Sequence, residues 1–173
     1  MSNQVKARME VQLVTAKQNY HGEEVWTARP TDADAIGRLL HDFNTEFDEP
    51  SPSPAELAQR IRLLFEVGDT VVLLGGTGPD GLVVLRFRHA LWNPGLECYL
   101  AELYVVPEHR GRGLGRALME AAIDTARQRG ADYMDLGTSE ADVVARRLYE
   151  QLGFTNREQG GRGPIMYVYE RDL

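Results

Sequence analysis

The order of strand-like and helix-like segments predicts a single mixed α/β domain built in layers. Three observations carry that prediction. Short runs of β-branched and apolar residues alternate with stretches whose apolar residues recur at helical spacing. Caps and glycine–proline turns mark the joints between them. No repeat, low-complexity stretch or linker divides the 173 residues, a length that suits one domain with a full core.

Residues 1–22 are polar and weakly patterned, and form an N-terminal extension ahead of a domain over 23–173. Within the extension, an extra strand or an arm, Met9, Val11 and Leu13 alternate with Glu10 and Gln12. Residues 25–28 read as a strand stopped by Pro30. Thr31 and Asp34 resemble a capping box, opening a helix with Ile36, Leu39, Leu40 and Phe43 on one face. An acidic loop over 44–50 follows. Ser53-Pro54-Ala55-Glu56 then starts a second helix, with Ser as cap, Pro first and Glu third. Leu57, Ile61, Leu64 and Phe65 make its apolar stripe. Residues 70–74 and 82–88 are strands joined by a glycine-rich turn. A loop through Trp92 leads to a longer strand over 97–106, stopped by Pro107. Residues 114–129 form a helix, and Gly130 sits where a C-terminal glycine cap belongs. A strand over 132–136, a helix over 142–152 ended by Gly153, and a last strand over 167–169 complete the chain.

Lys and Arg number 19 against 26 Asp and Glu, a formal charge of −7. A chain this acidic repels polyanions on average, so neither nucleic acid nor an anionic membrane is an expected partner. The single cysteine, Cys98, has no internal partner, and no Cys/His set has metal-site spacing, so no metal is expected. No apolar run approaches the roughly 20 residues of a membrane helix. Residues 1–12 carry Lys6 and Arg8 without the apolar centre of a secretory signal. The expected location is cytoplasmic.

The chemistry concentrates in Val105-Val106-Pro107-Glu108-His109-Arg110-Gly111-Arg112-Gly113-Leu114-Gly115-Arg116, where a strand ends and a helix begins. Closely spaced glycines let the backbone turn tightly, with several N–H groups facing one point. At a helix N-terminus those donors favour an anion. Arg110, Arg112 and Arg116 add cationic forks suited to phosphate oxygens. The geometry suits a pyrophosphate; the same turn also reads as a basic surface turn. Other nucleotide motifs fit badly: there is no G-x-x-x-x-G-K-[ST], and Arg116 stands where G-x-G-x-x-G needs its third glycine.

Arg110-Gly111-Arg112-Gly113-Leu114-Gly115 matches the R/Q-x-x-G-x-G/A signature of the GNAT superfamily, the acyl-CoA-dependent N-acetyltransferases. Ala145-Arg146-Arg147-Leu148-Tyr149-Glu150-Gln151-Leu152-Gly153-Phe154 resembles that family's second motif, A-x-x-L-Y-x-x-x-G-F. The pair occurs in the family's order, and the resemblance covers about residues 24–170. It implies a mostly antiparallel, twisted sheet with a splayed central strand pair, flanked by about four helices. It also implies acetyl-CoA as acyl donor. Leu103, Tyr104 and Val105 would present backbone groups to the pantetheine arm. The amides of Gly111, Arg112, Gly113, Leu114, Gly115 and Arg116 would hold the pyrophosphate. Tyr149 would protonate the departing thiolate; a phenol near pKa 10 stays protonated at neutral pH.

Two positions depart from the family's pattern. Asp142 stands where the family often has a coenzyme-contacting Asn, lacks the NH₂ donor, and is equally suited to cap its helix. Ala101 stands at an often acidic position, leaving Glu102 as the candidate base, with Glu97, His89 and Asp135 as alternatives. Glu102 reads equally as a strand carboxylate paired with an arginine. On the acceptor side, Glu46, Phe47 and Asp48 place carboxylates around an aromatic ring, which suits a cationic amine such as a polyamine, an aminoglycoside or a basic peptide end. The expected activity is direct acetyl transfer to a primary amine. A non-catalytic acyl-CoA sensor, and acetylation of a protein or peptide amine, are the competing readings. The N-terminal extension and final strand are candidate surfaces for a homodimer.

Overall fold

The computed structural model describes residues 17–173. They form two compact units that divide after Asp135. The alternating segment Met9–Leu13 lies outside the described residues.

The first unit holds β1 (Gln18–Tyr20), β2 (Glu23–Thr27), α1 (Ala33–Glu46), α2 (Pro54–Val67), β3 (Thr70–Gly75), β4 (Gly81–His89), β5 (Leu96–Val105), α3 (Leu114–Gln128) and nearly all of β6 (Ala131–Leu136). The strands make one sheet in the order β1-β2-β3-β4-β5-β6. The first four pairings are antiparallel. β6 lies beside β5 without the continuous ladder that joins the other neighbours; the Leu96 amide donates to the Gly130 carbonyl at 3.3 Å where the pair starts. Among the described residues no helix is long and apolar enough to cross a membrane.

Every residue of β3 is buried, because helices cover both faces of the sheet. On one face Val72, Leu74, Leu82, Val84 and Tyr104 pack against Ile36 and Leu39 of α1 and Ile61 of α2. The other face receives α3: a Cβ added at Gly75 or Gly81 would run into Leu118. β1 and β2 are joined by His21 and Gly22, both at positive φ, the two-residue hairpin turn that matches strand twist.

The Ser53–Glu56 capping box forms as the sequence predicts: the Glu56 amide donates to Ser53 Oγ at 3.3 Å, and the Ser53 amide to Glu56 Oε2 at 2.9 Å. The box expected at Thr31 and Asp34 does not. Pro30 starts a short 3-10 turn, and the Arg29 amide donates to Asp32 Oδ2 at 2.7 Å. Asp34 is thereby left to pair with Arg62 of α2 at 2.8 Å.

The second unit contains α4 (Val143–Gln151) and the short turn α5 (Glu158–Gly161), which includes left-handed residues. The strand expected over 167–169 is absent. Pairing is used up earlier, where Arg157 bridges Ile165 and the Met166 amide donates to Asn156 O at 2.7 Å; Tyr167, Val168 and Tyr169 beyond it are exposed.

Gly37 sets the closeness of α1 and α2. A Cβ there would press on the Pro54 carbonyl oxygen and stand 2.9 Å from the Ala58 amide, both backbone atoms. Overpacking of this kind destabilises by about 1–3 kcal/mol, against a helix-propensity gain of about 1 kcal/mol. Gly37→Ala should therefore lower the melting temperature by several degrees, where helix propensity alone predicts a rise; calorimetry decides.

Candidate active site

β5 ends at Val105, and a 3-10 turn over Pro107–His109 carries the chain to Arg110. The turn is pinned from β4's side by Asp80: its carbonyl accepts from the Val106 amide at 2.9 Å, and its carboxylate lies 3.4 Å from His109 Nδ1. Gly111 and Gly113 take φ of 73° and 106°, conformations that strain any side chain. α3 begins at Gly113 with no side-chain cap, so its first amides lack intrahelical acceptors at the helix's positive pole. An added Cβ at either glycine would meet nothing within 4 Å, so both positions border open space. Leu114 is in the core, which leaves its backbone alone to serve the turn. Gly115 is half-buried, Arg112 is exposed, and Arg116 lies 3.6 Å from Glu120 one helical turn on.

Arg110 is turned toward α1. Its two terminal nitrogens donate to the two carboxylate oxygens of Glu46, each at 2.6 Å, and its Nε donates to Val105 O at 2.8 Å. The guanidinium stands 5.6 Å from the centre of the Tyr104 ring, which also meets Phe43 at 5.4 Å. The Arg110 hydrogen bonds hold the Glu46 carboxyl below the usual range. Burial, and then the Glu46 charge, raise the Tyr104 phenol. The sequence assigns Arg110 to phosphate and Glu46 to the acceptor; in the fold the two neutralise each other. Phe47 is exposed and meets Phe43 edge-on at 5.3 Å; Asp48 is exposed beside it.

Between α1, α2 and the sheet lies a cavity of about 230 Å³. Leu40, Phe43, Leu57, Ile61 and Leu64 line it from the helices. Its polar lining comes from Asn44, Arg60, Arg86 and Glu102. Neighbouring residues on a regular strand face opposite sides, yet Ala101 and Glu102 both border this cavity. The cause is a β-bulge: Val84 stands opposite Glu102 and Leu85 opposite Leu100, so Ala101 is an extra residue on β5.

Burial raises the Glu102 carboxyl above the usual range, and among the described residues it holds no hydrogen bond or ion pair. The other candidate bases have different surroundings. Arg88 Nε donates to Glu97 at 2.7 Å, and Arg88 Nη2 stands 3.5 Å from Asp135. His89 is exposed. Of the four, Glu102 borders the cavity. Cys98 is fully buried, and burial pushes its thiol up to about 11, unsuited to a nucleophile. Leu103 and Val105 are half-buried on the strand that leads to the glycine turn.

In the second unit Asp142 caps α4, its Oδ1 accepting from the Ala145 amide at 3.0 Å, so the side chain expected at the coenzyme is engaged locally. Tyr149 is 8% exposed, with its ring 6.1 Å from that of Phe154. Burial, with Asp142's charge adding, pushes its phenol up to about 12. The sequence reading misses Arg60, Arg86 and Asn44. Arg86 leaves one signal, a charge closing the apolar run Leu82-Val83-Val84-Leu85.

The Acetyltransferase (GNAT) family matches residues 34–154. A mycothiol acetyltransferase from Thermobispora bispora is 50% identical over 121 residues, 67% of this chain and 35% of that protein. A streptothricin acetyltransferase from Streptomyces lavendulae is 38% identical over 85 residues, 49% of this chain and 43% of that protein. The chain thus spans less than half the length of either relative. Among solved structures, a candidate acetyltransferase from Arthrobacter sp. FB24 superposes with a TM-score of 0.80 at 44% identity, covering 90% of this chain and 99% of that one.

Glu102 yields a stability prediction. Its carboxyl is raised in the fold, so the native state binds the proton more tightly than the unfolded chain, and ionisation destabilises the native state as pH rises. Glu102→Gln should melt higher than the parent at neutral pH, with the gap closing below about pH 4. Thermal melts across that range test it, and a lower melting point for the variant at neutral pH contradicts the assignment.

Proposed function

Because this chain belongs to the GNAT acetyltransferase family, we propose that it transfers an acetyl group from acetyl-CoA to the primary amine of a small molecule. One observation carries the proposal: the left-handed Gly111 and Gly113 leave open space before the uncapped start of α3. That cradle fits a pyrophosphate, which accepts several backbone hydrogen bonds at a helix N-terminus. The amides over 111–116 and the exposed Arg112 would hold it, with Arg116 beside them. Backbone groups of Leu103, Tyr104 and Val105 would take the pantetheine arm.

When bound, acetyl-CoA supplies a thioester carbonyl carbon open to attack. Glu102 accepts the proton that the amine loses as its nitrogen bonds to that carbon. β5 has no continuous ladder on its β6 side, which leaves strand donors near Leu103 for the carbonyl oxygen as it gains charge. Tyr149, carried over from the second motif, donates to the sulfur as the carbon–sulfur bond breaks. A phenol near 12 stays protonated through the neutral range but is a weak acid. Its part is therefore a hydrogen bond that strengthens with the charge on sulfur. The proton taken up by Glu102 reaches the departing thiolate through solvent, which restores Glu102 and leaves an amide and a free thiol as products.

Relatives named for mycothiol and for streptothricin differ in acceptor, so the chemistry of this chain's own cavity decides its acceptor. The cationic amine expected from the acidic loop loses part of its support, because Arg110 occupies Glu46; Phe47 and Asp48 stay exposed. A cytoplasmic location, as the lone buried Cys98 suggests, belongs to the same proposal.

Calorimetry and thiol-release kinetics test the reading. Gly113→Val should lose at least tenfold in acetyl-CoA affinity while keeping its circular dichroism spectrum. Tyr149→Phe should keep the affinity and lose about 10²–10³-fold in kcat. Undiminished binding in the glycine variant would sink the site.

A further inference from the structure

The cavity's polar groups are unevenly matched. Arg86 Nε is buried and has no hydrogen-bond partner, and Arg86 Nη2 stands 3.6 Å from Asp69. A buried donor of this kind is destabilising until something accepts from it. Arg60 lines the same cavity from α2 and, among the described residues, holds no hydrogen bond or ion pair. Its charge acts on Glu56, whose carboxylate already accepts from Ser53 at the helix cap. Glu102 pairs with neither arginine. Two guanidiniums therefore face a space whose one carboxylate they do not engage.

The spacing of these groups defines a ligand. Glu102 stands opposite Val84 in the ladder, and Arg86 lies two residues further along β4 on the same face, about 7 Å away along the strand. The helices line the same cavity with the apolar Leu40, Leu57, Ile61 and Leu64. The cavity equals the liquid share of about eight water molecules. That suits a small molecule whose amine and anion lie close together, bridging Glu102 and Arg86 with a hydrogen bond at each end, and whose apolar body turns to the helices.

We propose that the acceptor is an amine that also bears a carboxylate, an apolar α-amino acid or close analogue. Its carboxylate takes up the Arg86 Nε donor with Arg60 beside it, its side chain lies on the α2 wall, and its amine faces Glu102. The inference rests on the acetyl-transfer reading above and names the substrate class for that reaction. An arginine fork reads a planar carboxylate bidentately, whereas an amide presents one oxygen and a misplaced donor.

The experiment compares kcat/KM for L-leucine, L-methionine and L-phenylalanine with their amides and their decarboxylated amines, by thiol release from acetyl-CoA. At least one free acid should exceed its amide and its amine by tenfold or more. Arg86→Gln should bring that ratio toward one with acetyl-CoA affinity unchanged, Arg60→Gln should narrow it, and Arg86→Lys should keep part of it. Equal or better turnover of the amides or amines overturns the inference. So does a ratio indifferent to both arginine substitutions, or no turnover of any compound by protein that binds acetyl-CoA. A chain that fails to bind acetyl-CoA overturns the acetyl-transfer reading itself.

Discussion

The Arg110–Glu46 pair holds together what would otherwise be three independent pieces: the end of α1, the end of β5 and the start of the glycine turn. Arg110 reaches Glu46 with both terminal nitrogens, Val105 O with Nε, and lies against the Tyr104 ring. An exposed ion pair contributes little stability by itself. Its value here is geometric, because a two-pronged bond with a third anchor leaves the guanidinium one orientation. The backbone that follows enters Gly111 from a fixed point, and the open amides of α3 are aimed accordingly.

β5 carries most of the remaining design. Its first half follows strict alternation, with Cys98 and Leu100 buried. The extra residue at Ala101 then shifts the phase, so that Glu102 and Tyr104 turn to the α1–α2 face. One inserted residue thus moves a carboxylate from the α3 side, where it would disrupt a packed core, to the border of a cavity. Because β3 and residues 81–85 of β4 are buried on both faces, the strands beside it have little freedom to give way, and the bulge keeps its place.

Legibility in the sequence followed the range of each interaction. The Ser53 cap and the glycine turn depend on residues within a few positions of one another, and both appear as read. The Thr31 cap was lost to a nearby competitor, since Asp32 reaches back to the Arg29 amide once Pro30 has set the turn. The Tyr167–Tyr169 alternation has apolar content, yet the segment forms no strand and stays exposed. Glu46 and Arg110 lie 64 positions apart, so no local pattern reveals that each neutralises the other. The two arginines of the cavity, and the bulge that brings Glu102 to them, likewise arise from register between strands. The family's motifs carry the proposed coenzyme side because it is a turn; the proposed acceptor side is assembled from separate helices and strands.

Cys98 has a use of its own. It is the chain's single thiol, shut inside the sheet and held almost entirely in its protonated form at neutral pH. In the unfolded chain the same group would ionise near 8.5. A maleimide or similar alkylating reagent should therefore leave the native molecule untouched and mark each copy that opens. The protein carries its own gauge of unfolding, one mass increment per opened chain.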